Sequence, residues 1–237
     1  MLPRAVCFDY WNTLVAPAQE GLLAGMRREA VLRTLREHGV ELAPETLDGH
    51  LEAAWSLHVE AWEGGRGFHP VEAADAVAAA IEELDAEGRE RVADAFLRVG
   101  EGVHLDLAPN AAETVEALSA AGVRLGIVCD VGLTGSAHLR AVLDRKGLLR
   151  HFDGWAFSDD VGRFKPAPEI FGHALDALGV EPGPDVWHVG DLRRTDVAGA
   201  RAVGLTAIRY RGVNDDRSDL PDAHRVIDDL AELLADA

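Results

Sequence analysis

The chain predicts an α/β fold in which a doubly wound parallel sheet carries a second, all-helical unit. Three observations lead there. Short apolar runs alternate with helix-patterned segments through the second half of the chain. A long block between the first run and the second shows helical spacing alone. Several runs end abruptly in polar, turn-forming residues, as buried strands do where they leave a sheet. Together they give a Rossmann-like core in residues 1–16 and 104–237, and a helical unit in 17–103.

The elements follow in order. Residues 4–8 form a short apolar strand. From about Glu20 to Val103, apolar positions recur at spacings of three and four, as at Val31, Leu32, Leu35 and at Leu47, Leu51, Ala54, Trp55. Gly39, Pro44, Gly64-Gly65, Pro70 and Gly88 punctuate this block into separate helices. Beyond it the pattern predicts a helix over Pro109–Ala121, a strand over Val123–Cys129 and a helix over Leu133–Lys146. A strand at Trp155–Ser158, a helix at Pro168–Leu178 and a strand at Val186–Val189 come next. A short helix at Asp196–Ala202, strands at Leu205–Ile208 and Arg225–Ile227, and a C-terminal helix complete the series. In such a sheet ligands bind beyond the carboxyl ends of the strands, where Asp9, Cys129, Ser158 and Asp191 all fall.

Composition narrows the partners. With 23 basic and 41 acidic residues the net charge is −18, a field that repels nucleic acid and anionic lipid. The expected partner is a small-molecule substrate, with neither nucleic acid nor membrane, and the chain is expected to be a monomer or homodimer. Cys7 and Cys129 both end apolar runs, which suits reduced thiols better than a disulfide. No apolar stretch reaches membrane-spanning length, and Met1-Leu2-Pro3-Arg4 leads straight into a strand, so a cytoplasmic location is expected.

The chemistry collects at two run ends. Asp9 closes Ala5-Val6-Cys7-Phe8 and opens Asp9-Tyr10-Trp11-Asn12-Thr13-Leu14; Asp191 and Asp196 follow Val186-Trp187-His188-Val189-Gly190. Acids delivered to neighbouring strand ends repel, so a divalent cation is expected between them. Lys165, one of only two lysines in an arginine-rich chain, precedes Pro166 and a helix. Asp196 reads equally well as a cap of the following helix.

Asp9 with Thr13, the strand end at Cys129-Asp130, Lys165, and the Gly190–Asp196 loop resemble the four motifs of the haloacid dehalogenase-like hydrolase superfamily. The order, the spacing and the helical insertion also fit, so the resemblance covers essentially the whole chain. It implies that Asp9 is a nucleophile that forms a covalent aspartyl intermediate. It implies Mg2+ held by Asp9, Asp191 and the backbone carbonyl of Trp11, with Asp196 in support and Lys165 beside the transferred group. Asn12, Thr13, Cys129 and Asp130 then contact substrate, and the helical unit becomes a cap over the site.

Some positions depart from that pattern. Phosphatases of the superfamily carry a second aspartate two residues after the nucleophile, and Trp11 stands there. Loss of a general acid typically costs about 100- to 10,000-fold in rate. The 2-haloacid dehalogenases place an aromatic residue at this position and dispense with the metal, but they also replace the last acid loop, which is intact here. Phosphonatases need a cap lysine, and residues 16–108 contain none. Cys129 stands where a hydroxyl donor is usual and reads at least as well as a small residue buried at a strand end; Asp130 adds an anion that costs binding unless it turns away or meets an arginine, which Arg163, Arg193 or Arg194 could supply. Trp55, His58 and Trp62 share a helical face, with His50 farther back; such aromatics could grip a ring or sugar, but a Trp pair at seven-residue spacing reads more readily as core of the helical unit. The resemblance implies a magnesium-dependent hydrolase of a small phosphorylated metabolite; metal-independent carbon–halogen hydrolysis through the same Asp9 is the second enzyme reading, and a binding or regulatory protein built on a decayed hydrolase is the reading from another class.

Overall fold

The computed structural model of the chain describes residues 2–16, 19 and 21–236. Strand β1 (Ala5–Phe8) is followed by four helices: α1 (Leu22–Glu37), α2 (Pro44–Glu63), α3 (Pro70–Ala79) and α4 (Ala86–Leu97). The alternating part then runs α5 (Ala111–Ala120), β2 (Arg124–Cys129), α6 (Ser136–Arg145), β3 (Gly154–Phe157), α7 (Ser158–Val161), α8 (Pro168–Leu178) and β4 (Val186–Gly190). After β4 come α9 (Ala198–Ala202), β5 (Thr206–Tyr210) and β6 (Arg225–Ile227).

The six strands among the described residues are all parallel, in the order β3-β2-β1-β4-β5-β6. The chain builds outward from β1 on one side, then returns to lay β4 against its other side. That reversal opens a crevice at the carboxyl ends of β1 and β4. Val6 and Phe8 of β1 face a core with Val115 and Leu118 of α5 and Leu139 of α6. Ala5 and Cys7 face the opposite core, with Phe171 and Leu175 of α8 and Ala200 of α9. Both faces are therefore covered, which is why β1 is apolar at every position.

The helices α1 to α4 enclose most of a third core, with Val31, Leu35, Leu47, Val77 and Phe96 among its buried residues, and Phe164 from the loop before α8 packs into it. Two expectations need correction here. Gly88 does not break the helical block: Asp85 caps α4 by accepting from the Gly88 amide at 2.8 Å, and the glycine sits inside the first turn. The expected helix over 196–202 is two pieces, a π-type turn at Arg193–Val197 running into α9. The C-terminal helix is wound as a 3-10 helix over Leu230–Asp236.

Candidate active site

β1 pairs with β4 so that Phe8 lies opposite Val189, and the Asp9 amide donates to the Val189 carbonyl at 2.8 Å. This register delivers Asp9 and Asp191 to the same crevice mouth. The chain then turns sharply, with the Leu14 and Val15 amides both donating to the Tyr10 carbonyl. Asn12 takes a left-handed conformation, φ 59°, at the centre of that turn, a geometry asparagine tolerates. Its side-chain amide reaches Asp191 Oδ2 at 3.2 Å, and Asn214 donates to the same oxygen at 2.7 Å. Thr13 is buried, and its hydroxyl faces Asp9 Oδ2 at 3.4 Å.

Lys165 reaches the crevice from the loop before α8. Its backbone amide donates to Asp130 Oδ1 at 2.8 Å, which ties the loop to the end of β2. Its ammonium contacts Asp9 Oδ1 at 2.5 Å and Asp196 Oδ1 at 2.8 Å. Asp196 is saturated: His188 Nε2 lies 2.9 Å from the same Oδ1, while Oδ2 accepts from the Leu192 amide at 3.1 Å. The π-type turn positions Asp196 for these contacts, and Gly190 leaves room for it. A Cβ on Gly190 would fall 2.3 Å from Asp196 Cγ.

Burial raises the Asp9 pKa well above the ordinary carboxylate range; Lys165 opposes this, while Asp196 and Asp191 add to it. Asp191 is pushed up to about 6, by burial first and then by Asp196. For Lys165, burial alone would favour the neutral amine, but Asp196, Asp9 and Asp130 outweigh it and hold the ammonium charged. Asp196 itself stays ionised despite burial because Lys165 and His188 lie against it. The pattern is a shortage of positive charge: acids crowd one ammonium, and Asp9 and Asp191 are left underneutralised.

Oxygens of Asp9, Asp191 and Asp196 all come within 4.8 Å of one another. Those of Asp196 are committed to Lys165, His188, the Leu192 amide and the Thr195 hydroxyl, whereas Asp191 Oδ1 has no hydrogen bond among the described residues. Asp9 and Asp191 therefore retain capacity for a hard cation, and an all-oxygen donor set suits one.

A cavity of about 1540 Å3 lies between the crevice and the helical unit, bounded by Asp9, Trp11, Asn12, Asp130, Lys165, Asp191 and Asp196 on one side. Arg27, Leu51, Trp55, His58 and Trp62 are among its other lining residues. A separate hollow of about 970 Å3 between α1 and α4 contains no strand-end residue.

Several site expectations change. Trp55 and Trp62 are not simply core of the helical unit: Trp55 is 51% exposed, and Trp62 Nε1 donates to Asp130 Oδ2 at 3.0 Å. None of the three arginines offsets Asp130. Arg163 lies by Glu169 and Arg193 by Asp222, while Arg194 stacks over the Trp62 ring at 3.7 Å. Cys129 is fully buried in the sheet core, its thiol against the Asp130 carbonyl, and does not border the cavity. His50 also lies off the cavity.

Sequence reasoning passed over His188, Asn214, Arg27 and Thr134. A histidine inside a strand otherwise buried on both faces was the available signal for the first. For Arg27 it was the four-residue register with Val31 and Leu35, the two apolar residues that α1 buries.

A parallel sheet with this strand order, and a buried carboxylate–lysine pair at its switch point, defines a Rossmann-like α/β enzyme. The model of the haloacid dehalogenase-like hydrolases matches residues 3–204, and the chain belongs to that family. It is 37% identical over 106 residues to the ribulose-1,5-bisphosphate 5-phosphatase of Halopiger xanaduensis, covering 45% of this chain and 43% of that protein. It is 29% identical over 211 residues to (S)-2-haloacid dehalogenase 4A of Burkholderia cepacia, covering 87% and 82% respectively. Among solved structures, a HAD phosphatase from Thermococcus onnurineus superposes with a TM-score of 0.63 at 27% identity, over 98% of this chain and 96% of that one. The matches to the first curated relatives span about a third to a half of their length.

Proposed function

We propose that this chain is a magnesium-dependent hydrolase that acts on a small phosphorylated metabolite through Asp9, with residues 17–103 serving as a cap over the core of residues 1–16 and 104–237. The observation that carries the reading is the buried Asp9 carboxylate, held by Lys165 and facing Asp191 across one crevice. Relatives named as phosphatases support the substrate class.

In this reading an Asp9 oxygen attacks phosphorus, the bond from phosphorus to the leaving oxygen breaks, and an aspartyl phosphate forms. Water then cleaves that acyl phosphate and regenerates the carboxylate. Lys165 places its charge where the transferred group gains negative charge, and Asp196 with His188 keeps that ammonium in position. Asp9, Asp191 and the Trp11 carbonyl would hold magnesium, which when bound offsets the charge of the two carboxylates and the phosphoryl oxygens. Asn12 and Asn214 orient Asp191 for that role. The Trp11 indole is far too weak an acid to protonate a leaving oxygen, so substrates with good leaving groups, such as acyl or aryl phosphates, are turned over faster than alkyl esters.

The test is a screen of alkyl, aryl and acyl phosphates and of chloroacetate, with and without magnesium, using Asp9→Asn as the blank. Magnesium-dependent phosphate release by wild type alone is expected. Halide release without magnesium would select the dehalogenase reading, and equality with the blank on every compound would leave a binding protein.

A further inference from the structure

Arg27 belongs to the face that α1 turns inward, yet it is a cation. Its side chain is 6% exposed, and the Phe96 ring centroid lies 5.2 Å from the guanidinium carbon. One terminal nitrogen donates to the Thr134 hydroxyl at 2.7 Å, and Nε is buried without a partner. Among the described residues no carboxylate pairs with it, in a chain that carries 41 acids. The adjacent Arg28, by contrast, lies 2.8 Å from Asp48. No acid holds the Arg27 charge up, and burial alone pulls its pKa down to about 10.

A buried cation whose polar partner is one neutral hydroxyl is costly to the fold, and a methionine or leucine would fill the same space without that cost. Arg27 and Thr134 both line the cavity that contains Asp9 and Lys165. One comes from the helical unit and the other from the loop after β2, so the pair bridges the two walls. A planar guanidinium with unused donors in a water-poor wall matches an oxyanion, which would complete its hydrogen bonds and neutralise it.

We propose that Arg27 is a specificity-determining residue that binds a second oxyanion of the substrate, remote from the group that Asp9 attacks. The inference rests on the function proposed above and narrows its substrate class. The substrate carries a phosphoryl group at one end and a carboxylate or second phosphate at the other. Trp11, Trp55 and Trp62 line the same cavity, so a flat or apolar body suits the span between the two ends.

The experiment uses the full chain with magnesium and three aryl phosphates that differ at the para position: a carboxylate, a phosphate ester, or a neutral carboxamide. Wild type is expected to prefer an anionic compound over the carboxamide by about 100-fold in kcat/KM. Arg27→Met is expected to bring that ratio to within about threefold, mainly through KM. Arg27→Lys, which keeps the charge without the fork, is expected to retain about a tenth of the preference and carries the same readout should Arg27→Met not fold. The anionic compound with the larger ratio identifies the distal group. Calorimetric titration of Asp9→Asn with the same compounds is expected to show the same order of binding without turnover. A ratio unchanged between wild type and the Arg27 variants overturns the inference. Absence of turnover above the Asp9→Asn blank on all three compounds instead overturns the function on which it rests.

Discussion

At the scale of single residues, the site is governed by too many acids around one ammonium. Asp191 shows the consequence most directly. Its pKa in the folded chain is about 6 against an ordinary 3.8, because burial and Asp196 both disfavour the ionised form. A raised value means that the native state binds the proton more tightly than the unfolded chain. The associated stability is therefore complete below about pH 4 and is lost as pH rises through about 6. In chelator-treated protein this loss is expected to be about 3 kcal/mol for Asp191 taken alone. Scanning calorimetry between about pH 4.5 and pH 7.5 should show a falling melting temperature in wild type and a flatter profile in Asp191→Asn. Magnesium competes with that proton, so it should raise the melting temperature more at pH 7.5 than at pH 5. Equal slopes in the two proteins would remove Asp191 from the account. Lys165 is the cation these acids share: Lys165→Met leaves Asp9 and Asp196 buried without its charge, and a loss of about 3–5 kcal/mol in denaturant unfolding is expected.

At the scale of elements, the loop that follows β4 depends on what Gly190 lacks. With Asp196 Cγ 2.3 Å from the position of a Gly190 Cβ, Gly190→Ala must push the carboxylate away from Lys165 and His188. Overpacking of this kind costs about 1–3 kcal/mol. Activity should fall at least about tenfold as well, because Lys165 loses the group that positions it. Gly172, inside α8, is the control: a Cβ there meets nothing within 4 Å, and Gly172→Ala is expected to stabilise by about 0.5–1 kcal/mol. Urea melts and a rate measurement on both variants decide the matter. Were Gly190→Ala as stable and active as wild type, the tight seat of Asp196 would have no function. This loop also marks how far elements were legible. Pro168–Leu178 and Arg225–Ile227 have the bounds their sequence predicts, since proline, periodicity and a compact apolar run mark their ends. The π-type turn at Arg193–Val197 was not legible, because local spacing reads the same whether a turn closes over four residues or five.

At the scale of the whole molecule, the parallel sheet covered on both faces followed from alternation of short apolar runs with helices, whereas the strand order that opens the crevice is seen only in the folded chain. Acids after strand ends were readable because no packing demand places them there. Arg27, His188 and Thr134 were not, since their meaning lies in neighbours more than a hundred residues away for the Arg27–Thr134 pair, and in burial that periodicity alone assigns to apolar side chains. Net charge belongs to this scale too. A chain at −18 surrounds its own cavity with a potential that opposes an anionic substrate. The Debye length shrinks from about 30 Å at 0.01 M salt to about 8 Å at 0.15 M, so salt screens that long-range opposition before it weakens buried contacts at Lys165. For a phosphorylated substrate, kcat/KM is accordingly expected to rise about two- to tenfold across that range and then level off. Stopped-flow or initial-rate measurements at fixed free magnesium would show it. A steady decline with salt would mean that the few cations lining the cavity, and not the acidic exterior, set the field an arriving substrate meets.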